Sequence, residues 1–256
     1  FELSEKEVAQ GIVGDPDKAF VFPHNQEFNK DESKVLFKYF TSVGKYHSGE
    51  QRGLLAYLNK EVISIEHYST IKSQLEIYTP QLTDRREVKN GRIKWFHLHW
   101  SRDKKYFKKG PKIISAIRTR CPSCFYTEEE YYGSRALNFI KSDRINLKYL
   151  TGLLNSRLSY FWLKNKGKQL GDLLQIDKGP LLGIPLHKSE EKLQNKIAVL
   201  VDEIIRLNKD LSEAKMNTDK SEKLNQEIEK VDKKINDEVY KLYDLTEEEI
   251  KIIEDV

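Results

Sequence analysis

The chain has 256 residues, 38% of them apolar and 33% charged, which makes one large domain or two modest ones with ample chain to bury a core. No run approaches the roughly 18 consecutive apolar residues of a membrane span. No secretory signal opens the chain either, so a cytoplasmic location is expected. The formal net charge of +4 conceals a split: residues 188–256 hold 13 bases and 19 acids, a net of −6, and the rest holds 31 bases and 21 acids, a net of +10. A basic working body with an acidic, structural tail is the expectation. The chain begins at Phe1 and its one methionine is Met216, so it is expected to be a piece of something longer.

In chain order, Gly11-Ile-Val-Gly-Asp-Pro-Asp17 reads as a loop, and Lys18–Phe22 as a short strand ended by Pro23. Val35–Phe40 and Gly53–Leu58 are further short apolar runs, and Ile65–Tyr78 reads as a helix that stops ahead of Pro80. Trp95–Trp100 and Lys112–Arg118 read as strands, with turns at Gly91 and Gly110-Pro111, and Arg135–Ile140 as one more. Asn146–Lys164 is predicted to be a single helix, with Leu150, Leu153, Leu154, Leu158, Phe161 and Trp162 on one face. The segment from Gly167 to Pro185, rich in Gly and Pro, is the expected boundary.

Beyond it the pattern is plain. Ile197, Leu200, Ile204, Leu207 and Leu211 follow a 3-4 spacing, which the polar run Asn217-Thr-Asp-Lys-Ser221 interrupts. The spacing resumes at Leu224, Ile228, Val231, Ile235, Val239 and Leu242, so two long helices folded as an antiparallel hairpin are predicted. Thr246-Glu-Glu-Glu249 is a capping box that starts a short last helix. The class is α+β: a mixed strand and helix body, residues 1–187, followed by a helical hairpin tail, residues 188–256.

Motifs for catalysis are missing. There is no Gly-rich phosphate loop, no GxSxG and no HExxH. Asp84, Glu87 and Lys89 carry the residue types of a metal-dependent nuclease, but six positions are too few to spread them over separate strands. His97 and His99, two apart on an expected strand, would share a face as two metal ligands could, without a third ligand nearby. Cys121 and Cys124 form the one CxxC, with no second pair to complete a zinc site, and read as a plain loop.

The basic stretch is different. From Arg85 to Arg120 there are 13 Lys or Arg against two acids, interleaved with two Trp, two Phe, a Tyr and two His. Bases neutralise backbone phosphates and release counterions, Arg reads guanine edges, and rings stack on exposed bases. The competing reading is a solvated charged face whose rings point into the core, and alternation along Trp95–Trp100 should bury one set of them. The candidate DNA contacts are Arg85, Arg86, Arg92, Lys94, Arg102, Lys104, Lys105, Lys108 and Lys109. Arg118 and Arg120 follow, then Lys166, Lys168 and Lys178 from the Gly/Pro segment.

Taken in order, Gln10–Val21, Gln81–Arg86, Trp95–Arg102, Gly110–Ile114, Tyr149–Ser156, Ile184–Leu186 and Glu238–Ile250 resemble a known family. It is the TaqI-like C-terminal specificity domain, the target recognition domain of adenine-specific DNA methyltransferases and of fused type IIG restriction-modification enzymes. The resemblance implies a fragment that reads double-stranded DNA without modifying it. It also implies a methyltransferase domain N-terminal to Phe1, in which S-adenosylmethionine would be the cofactor and a flipped adenine would be held by an Asn/Asp-Pro-Pro-aromatic motif. This chain has no Pro-Pro and no cofactor-binding glycine motif, so no cofactor and no catalytic residue are expected in it. At Gly14-Asp15-Pro16 the sequence departs from the Thr-Gly type of loop expected there. The rival reading is a protein-interaction module, or a separate type I-like specificity subunit, acting through the helical hairpin. RNA binding is a third reading, marked by a preference for single strands or for the 2′-hydroxyl.

Overall fold

The computed structural model describes residues 1–214 and 218–255. The first part is strand-rich: β1 (Val8–Gln10), β2 (Val21–Phe22), β3 (Leu36–Phe40), β4 (Val43–Gly44), β5 (His47–Ser48) and β6 (Gln51–Ala56). Three helices follow, α1 (Ser69–Ile77), α2 (Thr79–Asp84) and α3 (Arg86–Lys89). Then come β7 (Lys112–Ala116), β8 (Arg118–Thr119), β9 (Cys124–Thr127), β10 (Tyr132–Gly133) and β11 (Leu137–Ile140). Helices α4 (Leu147–Asn155) and α5 (Arg157–Lys166) lead into the hairpin of β12 (Lys168–Leu170) and β13 (Leu173–Gln175). The chain closes with α6 (Lys178–Leu182), α7 (Glu191–Glu213), α8 (Thr218–Leu242) and α9 (Glu247–Glu254).

The central sheet, in the order β1-β11-β7-β9, is antiparallel throughout. Successive side chains of a strand point to opposite faces, and here both faces are apolar. Val8, Ile113, Cys124 and Ile140 point to one side, where they meet α4 and the tail helices. Ile114, Ala116, Leu137 and Phe139 point to the other, onto a second core built from β2, β3, β6, α1 and the segment 96–107. The sheet is therefore a wall between two cores. On the second side lies the sheet β10-β3-β6-β2, in which only the β10–β3 pair is parallel.

The tail forms as its periodicity predicts. Lys196 on α7 pairs with Glu238 on α8 at 2.5 Å, and Ser221 Oγ donates to Ala214 O, so the two helices run antiparallel. Of the expected polar interruption, Asn217 lies outside the described residues. Ile197, Val201 and Ile204 share one apolar cluster with Ile235 and Val239, and also with Leu150 and Leu153 of α4. Gly152 makes the close approach possible: a Cβ there would lie 2.7 Å from Ile197 Cγ2. Thr246 caps α9 through its hydroxyl, with Glu249 closing the box.

Several expected elements differ, and of Lys18–Phe22 only Val21–Phe22 is a strand, after a 3-10 turn at Asp17–Ala19. The helix expected over Asn146–Lys164 is broken at Ser156, whose backbone is extended (ψ 157°) and whose side chain caps α5. Asn236 of α8 accepts the Arg157 N–H at 2.8 Å, so a tertiary contact replaces the helical one. Pro80 does not only end a helix; it sits in the first turn of α2, where its missing N–H costs nothing. And Trp95–Trp100 is not a strand but an irregular loop, with one isolated bridge from Trp100 to Val13.

The start of the chain is fixed by a buried charge. Glu7 accepts from Arg144 Nε at 2.9 Å and from its terminal nitrogen, while Ser4 N donates to it at 2.7 Å. Arg144 first, then Ser142 and Ser4, hold the Glu7 carboxyl at about 2 against burial, below its ordinary 4.5. The folded form thus binds its proton less readily than the unfolded one. Its contribution is complete above pH 4.5 and is lost as the pH falls toward 2. With Arg144 half exposed, about 1–2 kcal/mol is expected. Urea unfolding at pH 5.5 and pH 3 should show a steeper loss for the native chain than for Glu7→Gln; equal losses would exclude this role.

Candidate DNA interface

Arg85 stands at the corner between α2 and α3, and it points inward. Its guanidinium donates to Leu82 O (2.9 Å), Gly14 O (3.1 Å), His97 O (2.9 Å) and Trp95 O (2.6 Å), and the residue is 6% exposed. Burial lowers its pKa, against the pull of Asp15 and Glu87. Five N–H groups in a fixed fork suit this task, which joins three backbone segments at one point. Arg85, expected to touch DNA, is thus a structural residue, because it is buried and four of its five N–H groups are already bonded to carbonyls.

The two histidines of the loop have separate fates. His97 is buried, accepts from Lys94 N at Nδ1 (3.1 Å) and faces Val62 O with Nε2 (2.9 Å), which fixes its proton on Nε2. Burial lowers its pKa. His99 lies between two carboxylates, with Nδ1 3.0 Å from Asp15 Oδ2 and Nε2 3.0 Å from Glu87 Oε2. The acids sit at opposite ring nitrogens and cannot converge on one ion. Among the described residues no group of three or more His, Cys, Asp and Glu is placed to hold a metal. The ring alternation expected here is absent too: Phe96, His97 and Leu98 are all buried in sequence, and Trp100 stays 46% exposed.

Among the other candidates, surroundings separate three groups. Arg86, Arg92, Lys108, Arg118, Arg120 and Lys166 are exposed, with no ion pair or side-chain hydrogen bond recorded among the described residues. Lys94 reaches back to Ile63 O, and Lys105 and Lys109 lie near Asp103 and Glu129. Lys168 and Lys178 lie near Asp177 and Glu5. Arg102 and Lys104 are half-buried: Arg102 bonds to Gly11 O and Gln10 Oε1, and Lys104 lies over the rings of Phe37 and Tyr57. Lys112, which was not a candidate, is fully buried, donates to Gly110 O and Glu129 O, and is pushed down to about 8 by burial.

Two stretches far apart in sequence meet in the small sheet β12-β13-β8. Gln175 pairs with Lys168 on one side and with Arg118 on the other, so all three stand in a row across the strands. The Gly171-Asp172 turn, with Gly171 at φ +60°, closes the hairpin. Cys121 and Cys124 lie at the end of this region, one exposed and the other buried with its thiol pushed up to about 12, which leaves it inert.

Sequence reasoning missed the part played by Asp15, since nothing in the pattern ties that loop to a histidine 84 positions on. Yet this is the loop that departs from the expected Thr-Gly type. It supplies both the Gly14 carbonyl to Arg85 and the carboxylate to His99. The basic loops, the small sheet and the Arg85 corner all fall between Asp84 and Leu186, and there a family model matches. Residues 84–186 match the TaqI-like C-terminal specificity domain.

The resemblance read from the sequence thus holds over the specificity-domain segment, while the motifs at Gln10–Val21 and Glu238–Ile250 lie outside it. The fold is similar over 98% of the chain to that of the type IIL restriction-modification enzyme MmeI, solved in complex with DNA. That likeness has a TM-score of 0.68 at 13% identity and takes in 36% of the MmeI chain. The type IIG restriction endonuclease BpuSI matches with a TM-score of 0.45 at 14% identity, over 91% of this chain and 30% of its own. The chain therefore spans about a third of the length of these proteins. No curated protein matches significantly.

Proposed function

We propose that the chain is the sequence-reading part of a restriction-modification enzyme, with residues 1–187 lying along double-stranded DNA and residues 188–256 bracing them. The observation that supports this most is the set of exposed cations without a partner among the described residues, Arg86, Arg92, Lys108, Arg118, Arg120 and Lys166, all within the specificity-domain segment. A cation already bonded to a carboxylate or a carbonyl must give up that bond to bind a phosphate; these six need not. Lys94, Arg102, Lys104, Lys105, Lys109, Lys168 and Lys178 stay in the interface as secondary contacts, and Arg85 supports it from beneath. Most contacts position the protein on phosphates, and a few arginines specify bases. S-adenosylmethionine and adenine methylation would belong to a methyltransferase domain elsewhere in the parent protein.

Selection from randomised duplexes at low and near-physiological salt tests the reading. One enriched short motif is the expected result. Binding without enrichment would leave a nonspecific cationic surface, and no binding at low salt would overturn the proposal. The rival reading through the helical hairpin has less to stand on, because the apolar stripe of α7 and α8 is used against α4 within the chain.

A further inference from the structure

Beside the Arg85 corner lies an open cavity of about 360 Å³, lined by Asn59, Lys60, Glu87, Arg92 and the segment from His97 to Arg102. Pockets of this order accept small planar ligands. Its largest ring, Trp100, is 46% exposed. The ring is nonetheless held in place. Trp100 and Val13 exchange both backbone hydrogen bonds at 3.1 Å, and the His99 ring stacks on the indole at 5.0 Å and 28°. The Arg102 guanidinium lies 5.8 Å from the indole centroid. His99 is in turn clamped by Asp15 and Glu87.

The backbone beneath is strained on both sides of this ring system. Asp15 (φ 55°) and Arg102 (φ 61°) both occupy the left-handed region without being glycine. Such positions cost about 1 kcal/mol or more and persist where the surroundings over-determine them, often at ligand sites. Around the ring are groups suited to a nucleotide. Arg92 and Lys60 are exposed cations at the cavity, and the Asn59 carbonyl oxygen accepts from Glu61 N, which leaves its amide nitrogen to a ligand. A fixed aromatic ring, a free amide and two cations are the components of a stacking site for one base and its phosphate.

We propose that this cavity holds one unstacked nucleobase of a bound DNA strand, with Trp100 as its stacking platform. The inference rests on the DNA-binding reading above and adds to it a site for a base outside the duplex stack. Three duplexes of equal length test it on the full chain: fully paired, with a single bulged 2-aminopurine, and with an abasic residue in the bulge. The bulged base should bind about 10-fold tighter than the other two and lose its fluorescence on binding. Trp100→Ala should remove that preference, and Trp100→Phe should keep most of it, with thermal melting showing all three proteins folded.

If the three duplexes bind alike, or Trp100→Ala weakens them all equally, the base site is overturned while the DNA reading stands. Competition by free dAMP without preference among the duplexes would assign the cavity to a free nucleotide instead and overturn the strand-held base. Absence of binding to any duplex would overturn both.

Discussion

Arg85→Ala is expected to destabilise the chain by about 3–5 kcal/mol, far more than the loss of any exposed arginine. Four carbonyls, those of Leu82, Gly14, His97 and Trp95, would lose their donor together. A buried carbonyl without a partner costs about 1–3 kcal/mol, part of which relaxation and entering water recover. The neighbouring Arg86→Ala removes an exposed side chain and should leave the unfolding midpoint almost unchanged while weakening DNA binding. Urea unfolding of the two variants decides the matter. Equal midpoints would mean that the Arg85 network does not hold the 93–100 loop in place.

The second large effect is expected from salt. If the six exposed cations, unpartnered among the described residues, each neutralise one phosphate, the logarithm of the binding constant should fall with that of the salt concentration at a slope of about −5. Between 50 and 200 mM salt the affinity should then drop about a thousandfold. Each replacement of one of the six by alanine should reduce the slope by about one. A slope near zero, or one indifferent to Arg118→Ala and Arg120→Ala, would show that binding does not run through these charges.

What the sequence reveals about this fold depends on how local the cause is. The tail helices are legible because a 3-4 spacing repeated over many turns admits one reading, and Thr246 with Glu249 marks the start of α9 within four residues. β7 and β11 are legible as apolar runs. The Trp95–Trp100 loop is not, because alternating apolar and polar residues suggest a strand, while the conformation is set by Arg85 at the corner after α2 and by Val13 from a distant loop. The break at Ser156 depends in the same way on Asn236, 79 positions beyond Arg157.

The same limit governs the candidate interface. Clustered charge points to the right region, and the family match falls on it. But charge alone does not distinguish Arg85, which is buried, from Arg86, which is exposed, although they are adjacent. Burial of a guanidinium requires carbonyls brought in from three segments, and no spacing encodes that. Likewise the row of Lys168, Gln175 and Arg118 exists only through strand pairing between positions some 50 residues apart.

The wall between the two cores restricts how such a protein can change. Ile113 and Ile114 are neighbours on β7 yet belong to different cores. Inserting or deleting one residue in this strand would exchange its faces and misfill both cores at once. The short turns beside it, residues 108–111 and 120–121, belong to neither core and to no strand, so they carry no such constraint. A change in length is therefore expected to be tolerated in those turns and not in the strand between them.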